Sequence, residues 1–275
     1  MDPRSNDRRG VDWDDRVSVS ALENLDGKVV VVTGATRGVG LGIARYLAGR
    51  GARLVVSARG AEGLAALSAE LDDRSAAYVA RTADAGDRDA NFALVAAAVQ
   101  EFGTVDGVVA NAVTSNPPVP VEELTEADLD VPFDASVKGT VWLMQAAFPV
   151  MRDQGRGRVV TFGSNAALNG VPTYAAYSAA KEAIRAITRT AAAEWGRHGI
   201  TVNSICPVSV RHHTPGLDDP EALARFERGF SKQPVPRDGR LEEDIAPVVG
   251  FLLSDASAYV TGQTLMADGG RIMLR

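Results

Sequence analysis

Residues 28–51 read KVVVVTGATRGVGLGIARYLAGRG, and this stretch decides the fold. Its β-branched run, residues 29–32, is typical of a strand buried on both faces of a parallel sheet. A glycine-rich turn at residues 34–40 follows, and the next residues have helical composition up to the glycines at 49 and 51. Strand, glycine turn and helix together predict the first half of a βαβ unit that binds a dinucleotide.

The glycines of this turn stand at 34, 38 and 40, which differs from the G-x-G-x-x-G spacing of long-chain dehydrogenases. The physical need is similar, because missing side chains let backbone N–H groups and a helix N-terminus approach a pyrophosphate. Tight turns also use glycine for conformational reasons alone. The position of this turn between a strand and a helix favours nucleotide binding.

The end of the second predicted strand, residues 53–59, indicates which dinucleotide is bound. An NAD site places Asp or Glu there to hold the ribose 2′-hydroxyl, whereas an NADP site supplies arginine for the 2′-phosphate. This chain has Ala58 and Arg59 there, with Arg37 inside the glycine turn. Two guanidinium groups can neutralise a phosphate, so NADP(H) is predicted and NAD(H) is less favoured. The alternative is that both arginines are solvated loop charges.

Strands and helices continue to alternate along the chain. Further strands are predicted near residues 53–59, 76–81, 105–111, 158–162, 200–205 and 263–268, and further helices near 90–103, 133–152, 177–196 and 242–254. This alternation predicts an α/β fold, a single-domain, Rossmann-like doubly wound parallel sheet of about seven strands flanked by helices. We expect residues 1–24 to form a flexible N-terminal arm before a domain that spans 25–275.

Residues 163–181, GSNAALNGVPTYAAYSAAK, carry the candidate chemistry. Tyr177 and Lys181 stand four apart in a helix-favouring run, so their side chains project from one face. A free tyrosine titrates near ~10, and a neighbouring ammonium favours the phenolate, which makes Tyr177 a candidate general acid/base. The alternative is a lysine that merely extends past a half-buried aromatic ring. Ser164 follows the fifth predicted strand and is expected at the same sheet edge as the glycine turn.

Composition narrows the class of partner. The chain has 275 residues and a formal net charge of −6, which argues against nucleic acid or an anionic membrane as the main partner. No apolar run approaches the ~18 residues of a membrane span, and the N-terminus lacks the apolar core of a signal peptide. Cys206 is the only cysteine, which rules out an internal disulfide. We therefore expect a cytoplasmic protein, and the three histidines with Cys206 give no convincing metal site.

At this point the chain resembles the short-chain dehydrogenase/reductase family, over roughly residues 25–270. The matching motifs are TGATRGVG, the AD of TADAGD, ANA, a Ser164-to-Tyr177 spacing of thirteen, YSAAK, ITVNSICP and FLLSDASAYVTGQTLMADGG. The likeness is strongest to reductases of 3-oxoacyl thioesters and similar ketones. It implies an NADP(H)-dependent oxidoreductase that interconverts a small-molecule ketone and a secondary alcohol and forms a homodimer or homotetramer.

The resemblance also implies roles for individual residues. Tyr177 would exchange a proton with the substrate oxygen, Ser164 would hydrogen-bond that oxygen, and Lys181 would lower the tyrosine pKa and hold the nicotinamide ribose. The residues implied in cofactor binding are Gly34, Thr36, Arg37, Gly38, Val39, Gly40, Arg59, Asp84, Ala85, Asn111, Ala112, Tyr177, Lys181, Pro207, Val210 and His212.

Several positions depart from the family pattern. Ser136 stands where the family has a catalytic asparagine, in a helix kink, that holds a proton-relay water. A serine hydroxyl can still bind water, with fewer donors and acceptors. The family's NNAG is Ala-Asn-Ala-Val at residues 110–113, and its Pro-Gly after the sixth strand is Pro-Val at 207–208. These changes motivate an alternative: a non-redox enzyme, such as a dehydratase, isomerase or cyclase, or a nucleotide-sensing protein on the same fold.

Residues 207–240 form a long irregular stretch after the sixth predicted strand. Leu223, Phe226 and Phe230, spaced three and four apart, predict a helix with one apolar face. We expect this stretch to close over the substrate as a lid, because long segments beside a site often do so. The alternative is that the apolar face only packs on the domain.

Overall fold

The computed structural model describes residues 24–211 and 216–273. Its strands are β1 (Val29–Thr33), β2 (Arg53–Ala58), β3 (Tyr78–Thr82), β4 (Gly107–Ala110), β5 (Gly157–Phe162), β6 (Ile200–Pro207) and β7 (Thr264–Ala267). Its α-helices are α1 (Gly38–Ala48), α2 (Ala61–Asp73), α3 (Arg88–Phe102), α4 (Glu126–Pro132), α5 (Gly139–Asp153), α6 (Asn165–Asn169), α7 (Ala175–Trp195), α8 (Pro220–Arg228) and α9 (Ala246–Leu253). The described residues also form two π-helices, Phe133–Lys138 and Leu241–Ile245, and short 3-10 turns at Val121–Glu123, Gly196–His198 and Asp255–Ser257.

The seven strands form one parallel sheet in the order β3-β2-β1-β4-β5-β6-β7. Val31 of β1 pairs with Val55 of β2 on one side and with Val108 of β4 on the other. The chain therefore winds outward in one direction through β3 and then in the other from β4. This confirms the predicted doubly wound, Rossmann-like α/β fold, in which ligands bind beyond the carboxyl ends of the strands at the switch point.

The valines of β1 alternate between the two faces of the sheet, which explains the unbroken apolar run. Val30 and Val32 lie in a core cluster with side chains of α1 and α9, whereas Val29 and Val31 lie in a second cluster with side chains of α3 and α5. All four are at most 1% exposed. Both faces of the sheet are therefore buried, as a parallel sheet requires.

The helices after β2 and before β5 differ from the predicted pattern. Helix α2, which was not predicted, connects β2 and β3 and buries Leu64, Leu67 and Leu71. The helix predicted at 133–152 begins as the π-helix Phe133–Lys138 and continues as α5, and α4 directly precedes it. A capping box at Thr125 starts α4, because this side chain and that of Asp128 each accept the other's backbone N–H.

The predicted lid lies partly outside the described residues. Within its described part, α8 carries Leu223 and Phe226, and Phe230 lies just past the end of the helix and is 5% exposed. The rings of Phe226 and Phe230 meet edge to face, with centroids 5.0 Å apart. Closure of this segment over a substrate remains a prediction.

The predicted N-terminal arm also falls almost entirely outside the described residues, which begin at Asn24. Among the helices in the described ranges, none is long and apolar enough to cross a bilayer.

Candidate active site

A cleft of about 670 Å³ lies at the carboxyl ends of the strands. Its wall brings together nearly all of the residues predicted for the site: Gly34, Thr36, Arg37, Gly38, Val39, Arg59, Asp84, Ala85, Asn111, Ala112, Ser164, Tyr177, Lys181, Pro207 and Val210. Gly40 and Ser136 do not line the cleft, and His212 lies outside the described residues. The glycine turn and the Tyr177 helix therefore share one cavity, as the strand order requires.

The glycine turn needs glycine for close packing as well as for access. Gly34 has a φ of +66°, and a Cβ there would lie 2.9 Å from the Cα of Ala112. A Cβ at Gly40 would collide with the carbonyl oxygen of Gly34 and the side-chain nitrogen of Asn111. Gly40 is therefore a packing position behind the turn, and the bare backbone of the turn itself faces the cleft.

Asn111 ties the end of β4 to this turn. Its Nδ2 atom donates hydrogen bonds of 3.0 Å to the carbonyl oxygens of Thr33 and Gly34. The hydroxyl of Thr33 in turn accepts the N–H of Ala112 at 3.2 Å. Asn111 lines the cleft, but its amide nitrogen is used to hold the shape of the turn. Its implied role in cofactor binding is therefore at least partly indirect.

The glycine-turn end of the cleft is positively charged. Arg37 and Arg59 are exposed and line the wall, and neither has a hydrogen-bonding or ion-pairing partner within the described part of the chain. Asp84 lies on the same wall, where its Oδ1 accepts the N–H of Gly86 at 2.9 Å. Helix α1 has no acidic residue in its first turn, so its N-terminus adds to the positive potential.

Ser164, Tyr177 and Lys181 lie together on the wall of the cleft. Ser164 caps α6, with its Oγ accepting the N–H of Ala166 at 3.2 Å, and its side chain lies close enough to that of Tyr177 to affect the phenol's pKa. The ammonium of Lys181 is 5.7 Å from the centre of the Tyr177 ring and donates to the carbonyl oxygen of Phe162 at 3.1 Å. Lys181 is only 4% exposed. Helix α7 thus places the phenol and the amine one turn apart, facing the serine.

The pKa values of this group differ from the sequence expectation. Burial raises the pKa of Tyr177, and the polar side chain of Ser164 opposes that rise only in part. Burial also lowers the pKa of Lys181 to about 8. We expected the lysine to make the phenol more acidic, but in the structure burial is the largest cause of the shift, and the ammonium bonds to a carbonyl oxygen rather than to the phenol.

Ser136 lies behind the wall of the cleft. It is 1% exposed in the π-helix, and its Oγ accepts the N–H of Thr114 at 3.4 Å. Thr114 and Ala135 line the cleft, whereas Ser136 does not. The expected helix irregularity is present at this position, and the serine hydroxyl holds a wall residue rather than facing the cavity.

Some residues of the wall were not predicted from the sequence. Among these are Asn165, Val171 and Arg271. Asn165 directly follows Ser164, so the prediction for Ser164 could have been extended to Asn165. Arg271 had no such signal, because it belongs to a chain segment more than one hundred residues away that is folded back onto the cleft. In the described ranges, no group of three or more His, Cys, Asp or Glu could hold a metal ion.

Comparisons with known proteins agree with this geometry. Residues 34–271 match the family model described as enoyl-(acyl carrier protein) reductase. The 2,3-dihydroxy-2,3-dihydro-p-cumate dehydrogenase of Pseudomonas putida is 34% identical over 91% of this chain and 96% of its own. Levodione reductase of Leifsonia aquatica is 34% identical over 92% of this chain and 97% of its own.

A solved structure of levodione reductase superposes on this fold with a TM-score of 0.81 at 31% sequence identity. The match covers 90% of this chain and 98% of the other. Fold, cleft and sequence therefore agree. The chain belongs to the short-chain dehydrogenase/reductase family, whose members are oxidoreductases that use a nicotinamide dinucleotide.

Proposed function

We propose that the protein is an NADP(H)-dependent ketoreductase that interconverts a ketone and a secondary alcohol. One observation carries this proposal: Ser164, Tyr177 and Lys181 face the same cleft as the glycine turn. A reductase of this kind needs a proton donor and an oxygen ligand within reach of a bound dinucleotide. The names of relatives, a dehydrogenase of a dihydrodiol and a reductase of levodione, are consistent with alcohol and ketone chemistry.

The residues of the cleft fit a phosphorylated dinucleotide. The bare turn at Gly34 and Gly38 and the N-terminus of α1 would hold the pyrophosphate. Arg37 and Arg59 would hold the 2′-phosphate, because β2 ends at Ala58 and is followed by Arg59 rather than by a carboxylate that would repel the phosphate. Lys181 would bind the nicotinamide ribose. The cofactor supplies the hydride when it is bound.

Tyr177 acts as the proton donor during reduction. Its raised pKa keeps the phenol protonated at neutral pH, which is the form that a general acid needs. Ser164 accepts the N–H of Ala166, and its hydroxyl can donate its hydrogen to a substrate oxygen bound beside Tyr177. When the phenol gives up its proton, the nearby Lys181 ammonium stabilises the phenolate that forms. In the reverse reaction the phenolate is the base, so oxidation is favoured at higher pH.

The test is NADPH consumption with a panel of ketones, for wild type and Tyr177→Phe. We expect wild type to reduce at least one ketone and the variant to lose about 100-fold or more of the turnover, since general acid catalysis contributes that much. NADPH binding, measured separately by fluorescence, should be retained.

A second control separates acid catalysis from a change in shape. Tyr174 is exposed and meets Tyr177 edge to face at 6.2 Å, but it does not line the cleft. Tyr174→Phe should therefore keep most of the activity. Full activity in Tyr177→Phe would show that the acid/base assignment is wrong, and a wild type that binds NADPH but reduces no ketone would favour the non-redox alternative.

A further inference from the structure

Arg271 is a cation of the cleft that the proposed chemistry does not use. Its side chain is exposed and lines the same wall as Ser164 and Tyr177. Within residues 24–211 and 216–273, the guanidinium has no hydrogen-bonding or ion-pairing partner. None of its five N–H donors is therefore occupied by a described residue.

The backbone that carries Arg271 is held in place by a buried carboxylate. Asp268 is 5% exposed, and its oxygens accept the N–H of Gly270 at 2.9 Å and that of Ile272 at 2.8 Å. The same carboxylate accepts a 2.8 Å hydrogen bond from Nδ2 of Asn165, the residue next to Ser164. The turn that presents Arg271 is therefore anchored directly to the loop of the candidate oxygen ligand.

A second contact fixes the other side of this turn. The N–H of Val235 donates to the carbonyl oxygen of Gly269 at 3.0 Å, and a Cβ at Gly270 would lie 2.9 Å from the ring of Pro234. Gly269 and Gly270 both have positive φ, at +67° and +81°. The backbone just before Arg271 is thus held by contacts with the Ser164 loop on one side and with the segment after α8 on the other.

The strand order separates Arg271 from the 2′-phosphate corner. Arg37 and Arg59 follow β1 and β2, whereas Ser164 follows β5 and Arg271 follows β7. In the sheet, β5 lies between β1 and β7, so Arg271 lies on the far side of the reacting group from the other two arginines. That is the side on which a substrate, rather than the adenosine end of a dinucleotide, would extend.

The charge of the cleft is opposite to that of the whole protein. The formal net charge of the chain is −6, which repels anions at long range. Among the described residues that line the cleft, Asp84 is nevertheless the single carboxylate, against the cations Arg37, Arg59, Lys181 and Arg271. With the first three assigned to the dinucleotide, Arg271 is left as a cation without an assigned anion.

We infer that Arg271 binds an anionic oxygen group of the substrate, so that the substrate is a ketone or secondary alcohol bearing a carboxylate or phosphate. The planar guanidinium matches either group through two parallel N–H donors. This inference rests on the proposed function of the cleft. A carboxylate would be part of a keto acid, whereas a phosphate would belong to the carrier portion of a thioester.

Matched pairs of charged and uncharged ketones test this inference. The first pair is 4-oxopentanoate and its methyl ester, and the second is acetoacetyl-coenzyme A and acetoacetyl-N-acetylcysteamine. Each is assayed with NADPH for wild type, Arg271→Gln, Arg271→Lys and the control Arg81→Gln, whose exposed arginine lies outside the cleft. In Arg271→Gln, KM for the charged member of one pair should rise about tenfold or more, the effect of losing a charge-assisted hydrogen bond.

In that variant kcat, KM for the uncharged member and NADPH affinity should stay within about twofold of wild type. For Arg271→Lys, KM for the charged member should lie between those of wild type and Arg271→Gln, because lysine keeps the positive charge but lacks the two parallel donors. A response in the first pair identifies a carboxylate, and one in the second identifies a phosphate. Equal effects on both members of each pair, a loss of NADPH affinity instead, or a wild type that prefers neither charged probe would overturn the inference.

Calorimetric binding to the Tyr177→Phe protein separates this inference from the proposed function. If charged probes bind more weakly after Arg271→Gln but wild type reduces no ketone, the anion site stands and the reductase assignment fails. If ketones are reduced and neither binding nor KM depends on Arg271, the reductase assignment stands and the anion site fails.

Discussion

The ammonium of Lys181 lies 5.7 Å from the centre of the Tyr177 ring. It is held in place by a 3.1 Å hydrogen bond to the carbonyl oxygen of Phe162 rather than by the phenol. The lysine is 4% exposed, so its charge is desolvated in the folded protein. Its position is therefore set by the end of β5, and its cost in stability depends on pH.

This cost is the first testable consequence. The pKa of Lys181 falls from 10.5 to about 8, mainly through burial. Between those pH values the unfolded chain binds more protons at this lysine than the folded protein does. The contribution of Lys181 to the free energy of unfolding therefore rises with pH, by up to about 1.4 kcal/mol per pH unit. Below pH 8 both states are protonated and the full cost is present.

The measurement is the free energy of unfolding in urea between pH 7 and pH 9.5 for wild type and Lys181→Met. The difference between the free energies of unfolding of wild type and Lys181→Met should change in favour of wild type as the pH rises through this range. Burial also raises the pKa of Cys206 to about 11, but that thiol is present in both proteins and its contribution largely cancels. Parallel pH profiles would contradict the depressed pKa.

Arg37 and Arg59 should decide the choice of cofactor. Replacing both with Gln removes two charged donors near the proposed 2′-phosphate, so the dissociation constant for NADPH should rise by about 10- to 100-fold. That for NADH should change little. Fluorescence titration measures both, and Arg53→Gln, an exposed arginine at the opposite end of β2, is the matched control. Equal losses for the two dinucleotides would refute the 2′-phosphate role.

Gly40→Ala should damage the glycine turn from behind. The added methyl meets the carbonyl oxygen of Gly34 and the amide of Asn111, neither of which is the free end of a flexible chain. Overpacking of this kind costs about 1–3 kcal/mol, and the displaced turn should lose dinucleotide affinity. Thermal unfolding and NADPH titration test both effects. Gly196→Ala is the control, because a Cβ there meets nothing within 4 Å, and a turn variant as stable as this control would argue against the close packing.

Ser136→Ala should show whether this serine positions the wall or relays protons. Loss of the hydroxyl removes a 3.4 Å hydrogen bond to the partly buried N–H of Thr114, which should cost about 0.5–1.5 kcal/mol of stability. If the serine only positions Thr114, turnover should fall by less than about tenfold, well short of the effect expected for Tyr177→Phe. Steady-state kinetics beside thermal unfolding measure the two effects. A loss as large as that of Tyr177→Phe would indicate a direct proton-relay role.

Local patterns predicted much of the fold. The valine run of β1 and the glycine turn after it are dictated by backbone sterics and by burial on two faces, so seven parallel strands could be anticipated. The spacing of Leu64, Leu67 and Leu71 carried the same kind of signal for α2, which was nevertheless missed. The grouping of Ser164 with Tyr177 also followed, because both were expected beyond the same sheet edge.

Features that depend on tertiary packing could not be read from the chain. The raised pKa of Tyr177 reflects desolvation by the surrounding fold, which sequence spacing does not report. The contact between Asn165 and Asp268 joins residues 103 positions apart, and it brings Arg271 to the cleft. The family resemblance did imply a helix irregularity at Ser136, but its π-helical form, with Val137 packed against Ala180 and Ile184 of α7, is a tertiary constraint that local propensity does not encode.

The π-helix Phe133–Lys138 determines how the side chains before and after it are rotated about the helix axis relative to each other. Val137 of the π-helix packs against α7. Leu143 and Met151 of the following helix α5 pack in the second core cluster, with side chains of α3. An α-helix advances 100° per residue, so deleting one residue here would rotate one of these faces away from its partner. The segment is thus constrained in its length as well as in its buried side chains, Ser136 and Val137, and both constraints support the position of the Tyr177 helix.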